Sequence, residues 1–264
     1  TSTLPITGLA NASIRPEKFI GLHFFSPVHK MQLVEIIVGE KTDDATLAKA
    51  FDYVLAIGKV PIVVNDSRGF YTSRVFSTWS NEGLTMLLEG QHPQSLEMAG
   101  LQAGMPVGPL AVIDEISMGL FDHIRKQTIA DMKASGEPDT ALAAAARGDH
   151  AAPVIEKMLS LKRPGRAGGG GFYEYTEKGK HLWPELTSLF TKDKPQMPQQ
   201  EVIDRIIYIQ AVETARCMQE GILRNTADAN LGAIFGWGFA PQHGGPLQFI
   251  NSCGLPAFVQ RAKE

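Results

Sequence analysis

Apolar positions near the start of the chain fall in short runs, whereas further along they recur every three or four residues. Phe19-Ile20-Gly21-Leu22-His23-Phe24-Phe25 is a run that Pro27 closes. Residues 33–38, rich in β-branched side chains, form a second, and residues 60–64 a third; all three read as strands. Between the second and third, Asp43 or Asp44 can cap a helix in which Leu47, Ala48, Phe51, Val54 and Leu55 recur at helical spacing until Gly58. Strand, strand, helix, strand reads as part of an α/β sheet, too small to be a sheet domain by itself.

After Asp66 the pattern turns helical. A long helix is predicted over 69–89, with Phe70, Phe76, Trp79, Leu87 and Leu88 among its apolar positions. Further helices are predicted over 95–103, 120–135, 140–147 and 154–161. Arg163-Pro164-Gly165-Arg166 and the glycines 168–171 break the pattern before Phe172-Tyr173-Glu174-Tyr175. Residues 192–200 are polar, contain Pro195 and Pro198, and read as a linker; a last helix runs from near Gln200 to about Leu223. Arg74, Glu82, Glu89 and Gly90 recur as Arg205, Glu213, Glu220 and Gly221 at a constant offset of 131. Gly108-Pro109-Leu110 recurs as Gly245-Pro246-Leu247, and Gly119-Leu120 as Gly254-Leu255. Two copies of one helical unit are therefore expected.

Composition narrows the function classes. Lys and Arg number 25 against 28 Asp and Glu, a net charge of −3, so there is no basic footprint for nucleic acid. No apolar run approaches the roughly 18 residues a membrane span needs, and neither membrane insertion nor secretion is expected. Cys217 and Cys253 lie far apart with no His at ligand spacing, which points to buried free thiols and to no metal site.

Few residues stand out chemically. His23 and Glu35 are ionisable groups inside apolar runs on adjacent strands, twelve residues apart. A carboxylate behind an imidazole fixes its tautomer and stabilises the imidazolium, which makes a general base. On pattern alone the plainer reading, a structural His–Glu pair, is favoured. His29 and His243 read as loop residues. The glycines 168–171 lack the Lys-Ser/Thr of a phosphate-binding loop and read as a turn, and no GxGxxG, GxSxG or HExxH occurs.

Gly21-Leu22-His23-Phe24-Phe25-Ser26-Pro27-Val28 followed by Leu33-Val34-Glu35-Ile36-Ile37 closely resembles the L-3-hydroxyacyl-CoA dehydrogenases of fatty-acid β-oxidation. The likeness continues through Asp66-Ser67-Arg68-Gly69-Phe70, Gly104-Met105-Pro106-Val107-Gly108-Pro109 and residues 168–175. Gly236-Trp237-Gly238-Phe239-Ala240-Pro241 and the second helical copy resemble the multifunctional members, whose dehydrogenase half carries two helical domains after a hydratase/isomerase half. The resemblance implies an α/β remnant of a Rossmann-type domain over 1–67, then two tandem all-α C-terminal domains over 68–193 and 194–264, mostly α overall. It further implies an N-terminally truncated chain: Thr1 falls where family members write Asn-Thr-Ser-Ser/Thr, past the Gly-rich loop that holds NAD.

By that resemblance His23 is the general base and Glu35 its orienting partner, reversing the preference drawn from pattern. Ser2 matches a serine that hydrogen-bonds the substrate oxygen. Ser73 stands where the family has an asparagine, a shorter donor for the substrate. The implied activity is NAD-dependent oxidation of L-3-hydroxyacyl-CoA by the full-length protein, with this segment inactive alone and residues 1–67 loosely ordered, rearranged or paired with another chain. An acyl-CoA substrate, a thiolase subunit and a homo-oligomer are the implied partners. The location would be cytoplasmic in a bacterium and mitochondrial or peroxisomal in a eukaryote. The competing reading is a non-catalytic helical substrate-binding or dimerisation module; a GxGxxG-bearing βαβ unit upstream would decide against it.

Overall fold

The computed structural model describes residues 3–134, 136 and 150–264 of the chain; the predicted helix at 140–147 lies outside them. In chain order the first elements are α1 (Ile6–Ala10), β1 (Gly21–Phe24), β2 (Leu33–Val38), α2 (Asp44–Ala56) and β3 (Val60–Asn65). Then come α3 (Thr72–Glu89), α4 (Pro93–Gln102), α5 (Pro109–Ile116), α6 (Met118–Ala134) and α7 (Ala152–Ser160). The rest are β4 (Tyr173–Thr176), β5 (Gly179–Leu182), α8 (Gln199–Gln219), α9 (Thr226–Trp237), α10 (Pro246–Cys253) and α11 (Leu255–Lys263). These form two compact units, one of Thr1–Ser77 with Ile207–Glu264, the other of Thr78–Ile206. The first unit is built from two separate stretches and the second from one, and their limits fall inside α3 and α8 rather than at the expected boundaries 67/68 and 193/194.

In the first unit the strands lie in the order β1-β2-β3, with β1 antiparallel and β3 parallel to β2. The parallel pair needs a crossover, and α2 supplies it, capped by the Asp43 side chain accepting from Thr46 N at 2.7 Å. Val34 and Ile36 of β2 pack with Ala50 and Val54 of α2, and Leu22, Phe24 and Leu47 close over them. The outer edge of β3 is covered by the C-terminal segment. Val63 N donates to Asp228 Oδ2 at 3.0 Å, Asn65 N to the Ile222 carbonyl at 2.8 Å, and Val64 bridges Leu223. Residues 3–67 are thus an ordered part of this unit, contrary to the loose order expected of them. The contacts that hold them come from beyond residue 207, far away in sequence.

Several elements differ from the sequence reading. Three helices, α9 to α11, follow the one expected to be last. The apolar segment at 172–175 pairs with Gly179–Leu182 as a hairpin. Helix α5 was not expected. Here Gly108 is the N-cap and Pro109 the first helical residue, where the missing N–H costs nothing. Helix α10 starts the same way at Gly245-Pro246. The repeat also aligns differently at its end. Ser117 (φ 84°, ψ 125°) closes α5 as Gly254 (φ 78°, ψ 127°) closes α10, so Gly254 corresponds to Ser117 and not to Gly119.

In the second unit a buried polar knot ties the glycine turn to the helices. Both Asp114 oxygens accept backbone N–H groups, from Phe172 and Tyr173, each at 2.8 Å. A Cβ on Gly171 would lie 2.0 Å from Asp114 Oδ1, so only glycine fits. Glu97 accepts from Leu110 N, Ala111 N and the Tyr173 hydroxyl. The 192–198 segment is not a free linker, because Lys194 Nζ, Gln196 Nε2 and Met197 N bond to Leu88, Gly90 and Gln91.

Candidate active site

The antiparallel register sets His23 of β1 directly opposite Glu35 of β2, so the two side chains leave the same face of the sheet. His23 Nδ1 lies 2.9 Å from Glu35 Oε2. Glu35 is 0% exposed and His23 8%. A buried carboxylate in a run such as Leu-Val-Glu-Ile-Ile-Val is tolerated only when its lone pairs are satisfied. They are: Oε1 accepts Tyr71 N at 2.9 Å and Thr72 N at 3.1 Å, and Oε2 accepts Thr72 Oγ1 at 2.5 Å.

Those donors are the start of α3. Gly69 (φ 75°) and Phe70 (φ 52°) reverse the chain after β3, which turns the free N–H groups of the first helical turn onto Glu35. The helix thereby gains an anionic cap and the carboxylate gains the positive end of a helix dipole. An acceptor-only carboxylate makes Nδ1 of His23 the protonated nitrogen and leaves the lone pair on Nε2. The ring is held between Phe25 and Phe70, at centroid distances of 4.5 and 5.8 Å. Lys59 Nζ donates to the Val28 and Met31 carbonyls, both at 2.7 Å, and fixes the loop that follows β1.

Of the residues expected from sequence, His23 and Glu35 are brought together. Ser73 directly follows Thr72 in α3 and is half-buried, with its carbonyl accepting from Ser77 Oγ. Ser2 lies outside the described residues. His29 is exposed, and burial pushes the His243 imidazole down. Among the described residues no cluster of His, Cys, Asp or Glu could hold a metal. Thr72 and the backbone of Tyr71 escaped sequence reasoning, since their partner lies 36 and 37 residues earlier.

Among the described residues up to α3, no helix start is open to the pyrophosphate of a dinucleotide, which needs a free helix N-terminus behind a glycine turn. Each helix start up to α3 is already taken by an acid of the chain itself. Asp66 accepts from Ile6 and Thr7 at the start of α1, Asp43 caps α2, and Glu35 caps α3. Asp43 is also paired with Lys18, which holds its carboxyl down at about 2.

Comparison with known proteins adds an independent view. Residues 1–67 match the family described as 3-hydroxyacyl-CoA dehydrogenase, NAD binding domain, and residues 69–175 the corresponding C-terminal domain. The chain is 38% identical to a fatty acid oxidation complex subunit alpha of Shewanella amazonensis, over 98% of the chain and 36% of that protein. It thus spans about a third of the length of the curated relatives it matches. Among solved structures, the dehydrogenase part of multifunctional enzyme 1 from Caenorhabditis elegans is 27% identical with a TM-score of 0.61, covering 90% of this chain and 53% of that one. A (S)-3-hydroxybutyryl-CoA dehydrogenase from Ralstonia eutropha is 32% identical with a TM-score of 0.57, covering 67% and 59%. The 3-hydroxybutyryl-CoA dehydrogenase of Escherichia coli shares the fold, with a TM-score of 0.74 at 19% identity over 98% of this chain and 69% of that one.

Proposed function

Because the chain belongs to the 3-hydroxyacyl-CoA dehydrogenase family, we propose that the complete protein oxidises L-3-hydroxyacyl-CoA to 3-ketoacyl-CoA in fatty-acid β-oxidation. His23 is the general base: its Nε2 takes the proton of the 3-hydroxyl as C3 becomes a carbonyl. Glu35 holds the ring and stabilises the imidazolium that results. Ser73, and Ser2 where it lies in the chain, contact the substrate oxygens. Accepting the hydride is the part of NAD, the family's cofactor, and the residues described account for the proton half alone. We further read 1–67 as the end of the nucleotide domain, with 68–193 and 194–264 as two helical domains. The relatives are named as the alpha subunit of a complex, which supports work alongside other subunits; we read these as a thiolase subunit and further copies of the chain, in the cytoplasm if the protein is bacterial and in mitochondria or peroxisomes if it is eukaryotic. Among the described residues no helix is long and apolar enough to cross a membrane.

The observation that carries this reading is the His23–Glu35 pair, set by strand register and anchored on a helix start. Replacing His23 with Gln in the complete protein keeps the approximate shape and removes the base. A fall in kcat of about 10²–10⁴-fold with little change in KM is expected, and near-normal turnover would overturn the assignment. The 264-residue segment by itself should not bind NADH; saturable micromolar binding in a calorimetric titration would reveal a nucleotide site elsewhere in it.

A further inference from the structure

We propose that the Thr72 hydroxyl is a positioning residue for His23, acting through the carboxylate oxygen that the two share. The inference rests on the reading of His23 as the base and goes one residue beyond it. Glu35 divides its two oxygens by function. Oε1 is consumed by two backbone donors, Tyr71 N and Thr72 N, which fix the plane of the carboxylate against α3. Oε2 is left to face His23, and Thr72 Oγ1 donates to that same atom at 2.5 Å while Nδ1 lies on it at 2.9 Å. Oγ1 and Nδ1 are themselves 3.4 Å apart, so the three atoms form a closed triangle. Without the hydroxyl, the carboxylate has one anchored end and one end free to swing, and the imidazole swings with it.

The threonine is held in the rotamer this requires. Its methyl group faces Gly236 of α9, where an added Cβ would lie 3.4 Å from Thr72 Cγ2 and 3.0 Å from Leu33 Cδ2. A threonine whose methyl is packed has its hydroxyl direction fixed, because both branches share one χ1. Valine at this position keeps the shape and loses the donor; serine keeps the donor and loses the methyl.

The hydroxyl also sets how strongly Glu35 holds a protonated ring. An acceptor that already takes an O–H bond has less charge to offer a second donor, so Thr72 moderates the pull of Glu35 on the imidazolium. The other ionisable groups acting on Glu35 are the Tyr71 phenol on the approach to α3 and the Cys217 thiol of α8. Burial raises both, Cys217 to about 12 and Tyr71 well above its ordinary value, so neither changes charge near neutral pH. A pH effect of a Thr72 substitution therefore reports on the Glu35–His23 pair.

The test compares Thr72→Val and Thr72→Ser in the complete protein. In Thr72→Val, kcat should fall about tenfold, which is about 1.4 kcal/mol, with KM unchanged within about twofold. The acidic limb of the pH–kcat/KM profile should move up by about half a unit to one unit, the worth of one hydrogen bond. Thr72→Ser should restore both. A Val variant with wild-type kcat and an unmoved limb would overturn the proposal. So would a Ser variant that behaves like Val, since packing of the methyl would then be the cause. NMR titration of the His23 imidazole in the substrate-free protein should show the same upward movement in Thr72→Val. That readout needs no turnover. If His23→Gln proved fully active while Thr72→Val still moved the titration, the base assignment would fail and the Thr72–Glu35–His23 coupling would stand.

Discussion

Two glutamates, one in each compact unit, are placed by the same local device and end in different roles. Glu35 accepts two consecutive backbone N–H groups at the start of α3 and a hydroxyl from Thr72. Glu97 accepts two consecutive backbone N–H groups at the start of α5 and a hydroxyl from Tyr173. Both are buried. They differ in the remaining neighbour. Glu35 Oε2 also meets an imidazole, a ring whose second nitrogen can take up a proton. Glu97 Oε2 meets a phenol whose ionisation is pushed far up by burial. On the proposed function the first arrangement would hand a proton on, whereas the second is a lock. Asn230 gives a third version: its Oδ1 accepts Leu247 N at 3.1 Å at the start of α10, a neutral cap with no chemistry.

The largest expected effect follows from exchanging the charge at the first site. Glu35→Gln should lower kcat by about 10²-fold and shift the acidic limb of the pH profile downward, because the imidazolium loses its counter-charge. An unchanged limb would reduce Glu35 to a helix cap and erase the contrast with Glu97. Next in size, Glu97→Ala should leave two N–H groups without an acceptor and cost about 2–3 kcal/mol of stability in denaturant melts. A loss below about 0.5 kcal/mol would mean that water replaces the carboxylate.

A finer distinction lies in the pH dependence of that lock. Desolvation raises the Glu97 carboxyl above its ordinary value, so the folded protein holds this proton more tightly than the unfolded chain. Between the unfolded and folded values the native state binds more protons, so this contribution to stability falls as pH rises. Glu97→Gln keeps the hydrogen-bonding shape without the titration. Relative to that variant, the wild type should gain melting temperature as pH is lowered from 7 through the carboxylate range. A difference that stays flat or reverses would show the carboxyl to be ionised throughout. The smallest effect concerns Ser73. Ser73→Ala should cost about 1 kcal/mol in kcat/KM, one neutral hydrogen bond, and a loss of several would give Ser73 a full catalytic role.

Much of the first site was legible because its determinants are local. The β-branched run over 33–38 gave β2 with the bounds the structure has, and of the two caps read for α2, Asp43 and Asp44, the structure uses Asp43. The pairing of His23 with Glu35 followed from two adjacent strands joined by a short loop. The donors on Glu35 were invisible, since nothing in Gly-Phe-Tyr-Thr-Ser-Arg points to a partner 37 residues earlier. Helices α5 and α10 were missed for a related reason. Their acceptors, Glu97 and Asn230, lie on the preceding helix, out of reach of a local reading. The hairpin of β4 and β5 was hidden by the glycines before it, of which Gly171 makes room for Asp114 rather than breaking the structure.

The recurrent arginines have a consequence for inheritance. Arg74 of the first copy answers Glu213 and Glu220 of the second, and Arg205 of the second answers Glu82 and Glu89 of the first. Glu213 is shared with Arg216 of its own copy at 3.0 Å, so the second copy keeps one internal pair. A descendant that lost either half would leave the recurrent arginine of the remaining copy without these acids. A change at Arg74 or Arg205 is therefore felt by acids of the other copy, which couples the two segments through these pairs. Two chains with one copy each would offer one another the same pairs, the self-complementary arrangement of a two-fold dimer.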